Sequence, residues 1–188
     1  MDLNALMGTL LSDETISGVG AKTGASANEV RGVLGSALPL LLNGANAQAA
    51  DASTAAGFSG ALQQHAQSDT SVLSSFLGGV DLDDGAKIVA HLLGGNTASQ
   101  TQTLAQQSGV SEAKTGNILS AAAPLLMSLL GQQAGADNSS ANVAGLMGSL
   151  LGSGDMAGLM GSLLGGSSAQ GSSGKKTGLL GKLLGLLK

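Results

Sequence analysis

The sequence contains no cysteine, and this absence excludes disulfide bonds, thiol nucleophiles and cysteine-ligated zinc or iron–sulfur sites. It also lacks tryptophan and tyrosine, so its only aromatic side chains are Phe58 and Phe76. Any core must therefore be built from Leu, Val, Ile, Met and Ala. Because Ala and Leu are strong helix formers and strand-favouring residues are scarce, this composition predicts an all-α fold.

Long apolar runs are missing as well. No stretch offers the roughly 20 uninterrupted apolar residues that a membrane-spanning helix needs. The nearest, residues 144–165, is interrupted by Ser153, Gly154 and Asp155. The N-terminus, Met-Asp-Leu-Asn, has neither the basic nor the apolar region of a secretory signal. The expected location is therefore the cytoplasm, with a peripheral position at the membrane as an alternative that depends on the C-terminal tail.

Charged residues are few and unevenly distributed. The net charge is -4, and residues 1–168 carry four Lys or Arg against twelve acids. Residues 169–188 carry four lysines and no acid. An acidic body followed by a basic tail predicts that the two parts meet different surroundings.

The strongest internal pattern is a repeat at an offset of 85 residues. It includes the only two prolines of the chain, together with a glycine and a serine at fixed distances before each proline. The matching residues are Gly24 and Gly109, Ser26 and Ser111, Leu34 and Leu119, and Pro39 and Pro124.

Each copy of the repeat predicts a helix–turn–helix unit. The glycine can take the left-handed conformation that ends a short helix, and the serine can cap the next helix. In the first copy Glu29 follows Ser26 by three residues, the spacing of a capping box. In the second copy Glu112 lies in the first turn, where the helix dipole favours an acid. The proline, about thirteen residues further on, is expected to kink the long helix or to start a new segment.

The chain therefore divides into a body and a tail. Residues 1–133 are predicted to form a helical bundle built from two duplicated helix–turn–helix units. Residues 134–188 are predicted to be a flexible linker and a Gly/Leu-rich amphipathic tail. Within this part, the nine residues Ala144–Gly152 recur without change at positions 157–165.

The paired Gly-x-Ser and Pro-Leu-Leu motifs, with the segment Asp84–Gly94 between them, resemble the bacterial domain-of-unknown-function 937 family, often grouped with YidB-like proteins. The resemblance covers roughly residues 1–133, and a Gly/Leu-rich C-terminus also fits it. It implies an all-helical protein. It brings no established activity and no catalytic residues.

The two units are also similar to DNA-binding helix–turn–helix motifs. However, binding to DNA needs several Lys or Arg that neutralise phosphates. The two candidate recognition helices offer only Arg31 and Lys114, beside Glu29 and Glu112. The sequence thus favours a packing role for these helices, and a nucleic-acid-binding regulator remains the alternative.

No catalytic or metal-binding motif emerges. His65 and His91 lack the spacing and the partners of a metal site, and half-buried helix positions bonded to backbone groups are expected for them. Asp81, Asp83 and Asp84 precede a helix, and Asp83 or Asp84 is expected to cap it. The glycine-rich segments do not end as a phosphate-binding loop does. We therefore predict a protein that is not an enzyme, without cofactor and without an evident small-molecule ligand.

The tail carries the clearest interaction signal. As a helix, residues 178–188 would place leucines on one face and lysines with glycines on the other, as in segments that lie on anionic membranes. Contact with a membrane, association with another protein or with a second copy, and disorder all remain open. The candidate contact residues are Leu179, Leu180, Lys182, Leu183, Leu184, Leu187 and Lys188. The leading hypothesis is a non-enzymatic interaction or scaffold protein.

Overall fold

A computed structural model describes residues 3–135 and 140–152, and within these ranges the chain is all-α and contains no strand. A 3₁₀ turn, Gly94–Asn96, precedes the seventh helix. The helices, in chain order, are α1 (Leu3–Leu10), α2 (Asp13–Thr23), α3 (Ala27–Ala50), α4 (Ala55–Ala66), α5 (Leu73–Gly79), α6 (Leu82–Leu93), α7 (Thr97–Ser108), α8 (Glu112–Ala134) and α9 (Ser140–Gly152).

The turn between α2 and α3 is fixed by a glycine and a serine. Gly24 ends α2 with a φ of 69°, a left-handed conformation that costs glycine no Cβ clash. Ser26 caps α3, because its hydroxyl accepts a hydrogen bond from the Glu29 backbone N–H at 3.3 Å. The Glu29 carboxylate in turn accepts from the Ser26 backbone N–H at 2.7 Å. These reciprocal bonds form a capping box that fixes where α3 begins.

The turn between α7 and α8 has the same local geometry. Gly109 ends α7 with a φ of 68°, and the Ser111 hydroxyl accepts from the Lys114 backbone N–H at 3.4 Å. The residue at the third position of the helix is here a lysine, which cannot accept the returning hydrogen bond. The second turn therefore has the serine cap but only half of the capping box.

Both prolines lie inside helices that continue past them, Pro39 in α3 and Pro124 in α8, so neither proline starts a new segment. Pro124 has no N–H to donate to the carbonyl of Ser120, four residues earlier. The backbone of α6 approaches α8 at this carbonyl. A Cβ on Gly85 of α6 would overlap the Ser120 oxygen, so the two helices can meet here only through a glycine.

Helices that are distant in sequence contact each other across the body. Helix α2 contacts α8, and α3 contacts α7. In the same way, α4 contacts α8 and α9 contacts α3. The long helices α3 and α8 also contact each other and form the centre of the body.

The core is aliphatic, as the composition requires. Leu34 and Leu119, the matched leucines of the repeat, are both 0% exposed, and every residue of α8 from Ile118 to Gly131 is buried. Burial of such side chains contributes about 1.5–3 kcal/mol each to folding. The largest fully buried side chains are Phe58, Leu6, Leu10, Ile16, Leu34, Leu38, Leu41, Leu42, Leu62, Leu77, Ile118 and Leu119.

The body continues beyond the boundary at residue 133 that the sequence indicated. Residues 140–152, expected in the flexible tail, form α9, which contacts α3, α4 and α8. Val143 is 0% exposed, and Ala144 and Leu146 pack against the core. Residues 153–188 of the predicted tail, with 136–139 of the predicted linker, lie outside the described residues.

Candidate functional site

An ion pair joins the first turns of α3 and α8. The Lys114 ammonium donates a hydrogen bond to Glu29 Oε1 at 2.9 Å, and these residues are 85 positions apart. The Glu29 carboxylate accepts hydrogen bonds from the Ser26 backbone N–H and from the Lys114 side chain, and these bonds lower its pKa to about 2. The pair thus ties the start of α3 to the start of α8.

The other basic side chains of the described body also have partners. Arg31 pairs with Asp13 at 2.7 Å, and the Lys22 ammonium donates to the Gly78 carbonyl at 3.1 Å. Lys87 has the loosest partner, Asp84, at 3.6 Å.

The aspartate cluster before α6 caps that helix, but with a different residue from the one expected. Asp81 is the N-cap, and its carboxylate accepts from the backbone N–H groups of Asp83 and Asp84. Asp83 and Asp84 lie in the first turn, where acids interact favourably with the helix dipole. The expectation that Asp83 or Asp84 is the cap is therefore wrong.

The two histidines of the chain line the same groove, which lies between α4 and α6. His65 is half-buried on α4, whereas His91 on α6 is exposed and not half-buried as expected. It is the His91 backbone carbonyl, not the imidazole, that accepts a hydrogen bond from Gln48, at 3.0 Å. The groove has a volume of about 490 Å³, within the range of small-molecule sites.

The groove combines an apolar surface with nitrogen donors. Phe58 and Met127 are buried beneath it, and Lys87 lines it together with the two histidines. Burial lowers the pKa of His65, and the negative charge of Asp84 acts in the opposite direction. None of the described residues that line the groove is an acid. The lining thus offers hydrogen-bond donors and an apolar surface, and the carboxylate of Asp84 lies beside it as the partner of Lys87.

Sequence reasoning considered each histidine alone and missed the groove. The one local signal in the sequence is the spacing of Ile88 and Leu92, one helical turn apart, which is typical of an apolar helix face. The residues of α4 and α8 that complete the site are far away in sequence. Met127 carries no signal of its own, since methionine is an ordinary core residue.

Residues 3–135 and 140–152 contain neither a metal-binding cluster nor a candidate membrane span. No three His, Asp or Glu side chains come together there as a metal site would require. No helix in this part is both long and apolar enough to cross a bilayer. The candidate contact residues of the tail, Leu179 to Lys188, lie outside the described residues.

The fold defines a class, an all-α protein. The chain belongs to the family described as "bacterial protein of unknown function" (DUF937), whose model matches residues 5–133. The matched region ends within α8, so α9 lies beyond it. Searches of curated proteins and of solved structures found no match.

Proposed function

We propose that this chain is a non-enzymatic interaction protein, in which a rigid helical body presents a C-terminal tail that associates with a second copy of the chain. One observation carries this proposal. The sequence Ala144–Gly152 forms most of α9 and packs against the body through Ala144 and Leu146. The same nine residues recur at 157–165, so the tail carries a second segment with the same apolar side chains.

A matched pair of substitutions tests self-association. Leu146 and Leu159 hold the same place in the two identical segments. Leu159→Asp in the full chain should abolish oligomers seen by light scattering and leave the thermal unfolding midpoint unchanged. Leu146→Asp should lower that midpoint, because Leu146 packs on the core. A wild-type chain that is monomeric at all concentrations overturns the proposal.

Attachment to an anionic membrane surface is the second candidate for the tail. It is favoured by the four lysines of residues 169–188, which occur without any acid. Vesicles with anionic lipid should then bind the full chain more tightly than neutral vesicles, and Lys182→Glu should reduce that difference. Equal and negligible binding to both kinds of vesicle would exclude this role.

The nucleic-acid alternative receives less support from the body. Arg31 and Lys114 are both engaged with carboxylates at less than 3 Å. In α8, the residues that follow the first two turns are buried, so only these two turns could face a groove of DNA.

We also propose that the body arose by duplication of one helical unit. The equivalent turns at Gly24 and Gly109 support this, as do the corresponding contacts of the helices. The correspondence extends to α4 and α9: Phe58 and Val143, also 85 residues apart, are 1% and 0% exposed. A duplicated unit would therefore comprise more than the helix–turn–helix.

A further inference from the structure

The groove between α4 and α6 has walls that are fixed by backbone contacts. A Cβ on Gly131 of α8 would overlap the Leu62 carbonyl of α4, and a Cβ on Gly44 of α3 would overlap the Leu92 carbonyl of α6. Gly85 holds the N-terminal end of α6 against α8, and the contact of Leu92 with Gly44 holds its C-terminal end against α3. The contact of Leu62 with Gly131 holds α4 against α8. Because neither helix can move inward without a backbone clash, the groove between them is part of the fold.

The surface inside the groove is mostly apolar. Ala61 of α4 and Ile88 of α6 are partly buried on its sides, and Phe58, Leu92 and Met127 are buried beneath it. A methionine at such a position adapts to ligands of different shape, because its side chain is unbranched and polarisable. The lining therefore suits an unbranched aliphatic group.

The hydrogen-bond donors that the groove offers to a ligand are the ammonium of Lys87 and the imidazoles of His65 and His91. Ser53 and Thr54 also line it, but their hydroxyls donate to Asp51 at 2.6 Å and to the Gln48 carbonyl at 2.9 Å. Lys87 is 3.6 Å from Asp84, and its side chain is 77% exposed. The two groups form an ion pair at that distance but no hydrogen bond, so the ammonium protons of Lys87 can still be donated to a ligand.

We infer that this groove binds a medium-chain acyl carboxylate, with the aliphatic chain over Phe58 and Met127 and the carboxylate at Lys87. The remaining donors, on His65 and His91, can hydrogen-bond a carboxylate oxygen, which accepts at several positions. The positive charge of Lys87 favours an anionic headgroup, and the apolar lining favours an aliphatic tail on the ligand.

Decanoate, with 1-decanol as the neutral probe, tests the inference on the full chain. Calorimetry should show decanoate binding that Lys87→Gln weakens by about 2–5-fold, as expected for loss of one solvent-exposed ion pair. Lys22→Gln is the matched control, because Lys22 donates to Gly78 away from the groove. Decanol should bind more weakly than decanoate to the wild type and equally to both variants.

A steric variant and an NMR signal locate the ligand. Ala61→Phe should fill the groove and abolish decanoate binding while circular dichroism stays helical. With methionine methyl groups labelled by ¹³C, decanoate should shift the Met127 signal, which is assigned through Met127→Leu. Binding that survives Ala61→Phe, or that shifts other methionines and not Met127, overturns the inference. So does decanoate binding that Lys87→Gln leaves unchanged.

Discussion

Glu29 and Lys114 occupy the same position in the two units, the third residue after the capping serine, and they bond to each other at 2.9 Å. At this position the two side chains connect the first turns of α3 and α8. The residue at this position also affects capping of its own helix, because a glutamate completes a capping box and a lysine cannot.

Exchanging the two residues should therefore preserve stability. Glu29→Lys alone loses the capping box of α3 and places two lysines together, so we expect the unfolding midpoint to fall by a few degrees. The double variant Glu29→Lys with Lys114→Glu restores the ion pair and moves the capping box to α8. Its midpoint, followed by circular dichroism, should be near that of the wild type.

The control for this exchange is to measure the same unfolding midpoints at increasing salt concentration. The ion pair is partly exposed, with side chains 40% and 31% accessible, so salt should reduce the difference between the single variant and the wild type. A double variant as unstable as Glu29→Lys alone would contradict the equivalence of the two positions.

The pH dependence of stability should report on Glu29. Its pKa is lowered from 4.5 to about 2 in the folded chain, so the folded state binds fewer protons than the unfolded state between these values. The stabilisation is then fully present above pH 4.5 and is lost as the pH falls toward 2. Unfolding midpoints measured across this window should fall less steeply for Glu29→Gln than for the wild type. Identical slopes would show that the hydrogen bonds of Glu29 do not persist in solution.

Much of the fold could be predicted from the sequence, because its signals are local. The glycine that ends a helix and the serine that caps the next act on neighbouring backbone, so Gly24 and Ser26 can be read without tertiary structure. The capping residue of α6 was misassigned because Asp81, Asp83 and Asp84 are chemically alike, and only backbone geometry decides among them.

The groove and α9 could not be predicted in the same way. The groove joins residues of α4, α6 and α8, and its walls depend on glycine contacts such as Gly131 with Leu62. The sequence predicts α9 as part of the flexible tail because it follows a polar segment, 132–142, and because its glycines lower helix propensity. Burial of Val143 against the body offsets that cost.

Comparison of the two units also identifies a substitution that should stabilise the protein. Thr115 is 0% exposed, and its hydroxyl has no hydrogen-bond partner. Its counterpart in the first unit, 85 residues earlier, is Val30, also 0% exposed. Thr115→Val should therefore raise the free energy of unfolding by about 1 kcal/mol, because an unpaired buried hydroxyl is removed and the β-branched shape is kept.

A second threonine provides the matched control for Thr115→Val. Thr15 is also 0% exposed, but its hydroxyl donates to the Thr9 carbonyl at 2.8 Å. Thr15→Val should lower the free energy of unfolding by about 1 kcal/mol, since a satisfied buried hydrogen bond is lost. Urea titrations of the two variants should thus move in opposite directions. Destabilisation by both would mean that Thr115 has a partner in solution.

The contact between Gly85 and the Ser120 carbonyl should be among the least tolerant positions of the body. A Cβ on Gly85 would overlap that oxygen, and relief requires α6 to move away from α8. Overpacking of this kind costs about 1–3 kcal/mol, more than the 0.5–1 kcal/mol that alanine gains over glycine in a helix. We therefore expect Gly85→Ala to destabilise the protein. Gly60→Ala on α4, where a Cβ meets only open space, should leave stability unchanged or raise it. If urea unfolding ranks the two variants in the reverse order, α6 does not lie against α8 at this carbonyl, and the wall of the groove is not fixed as described.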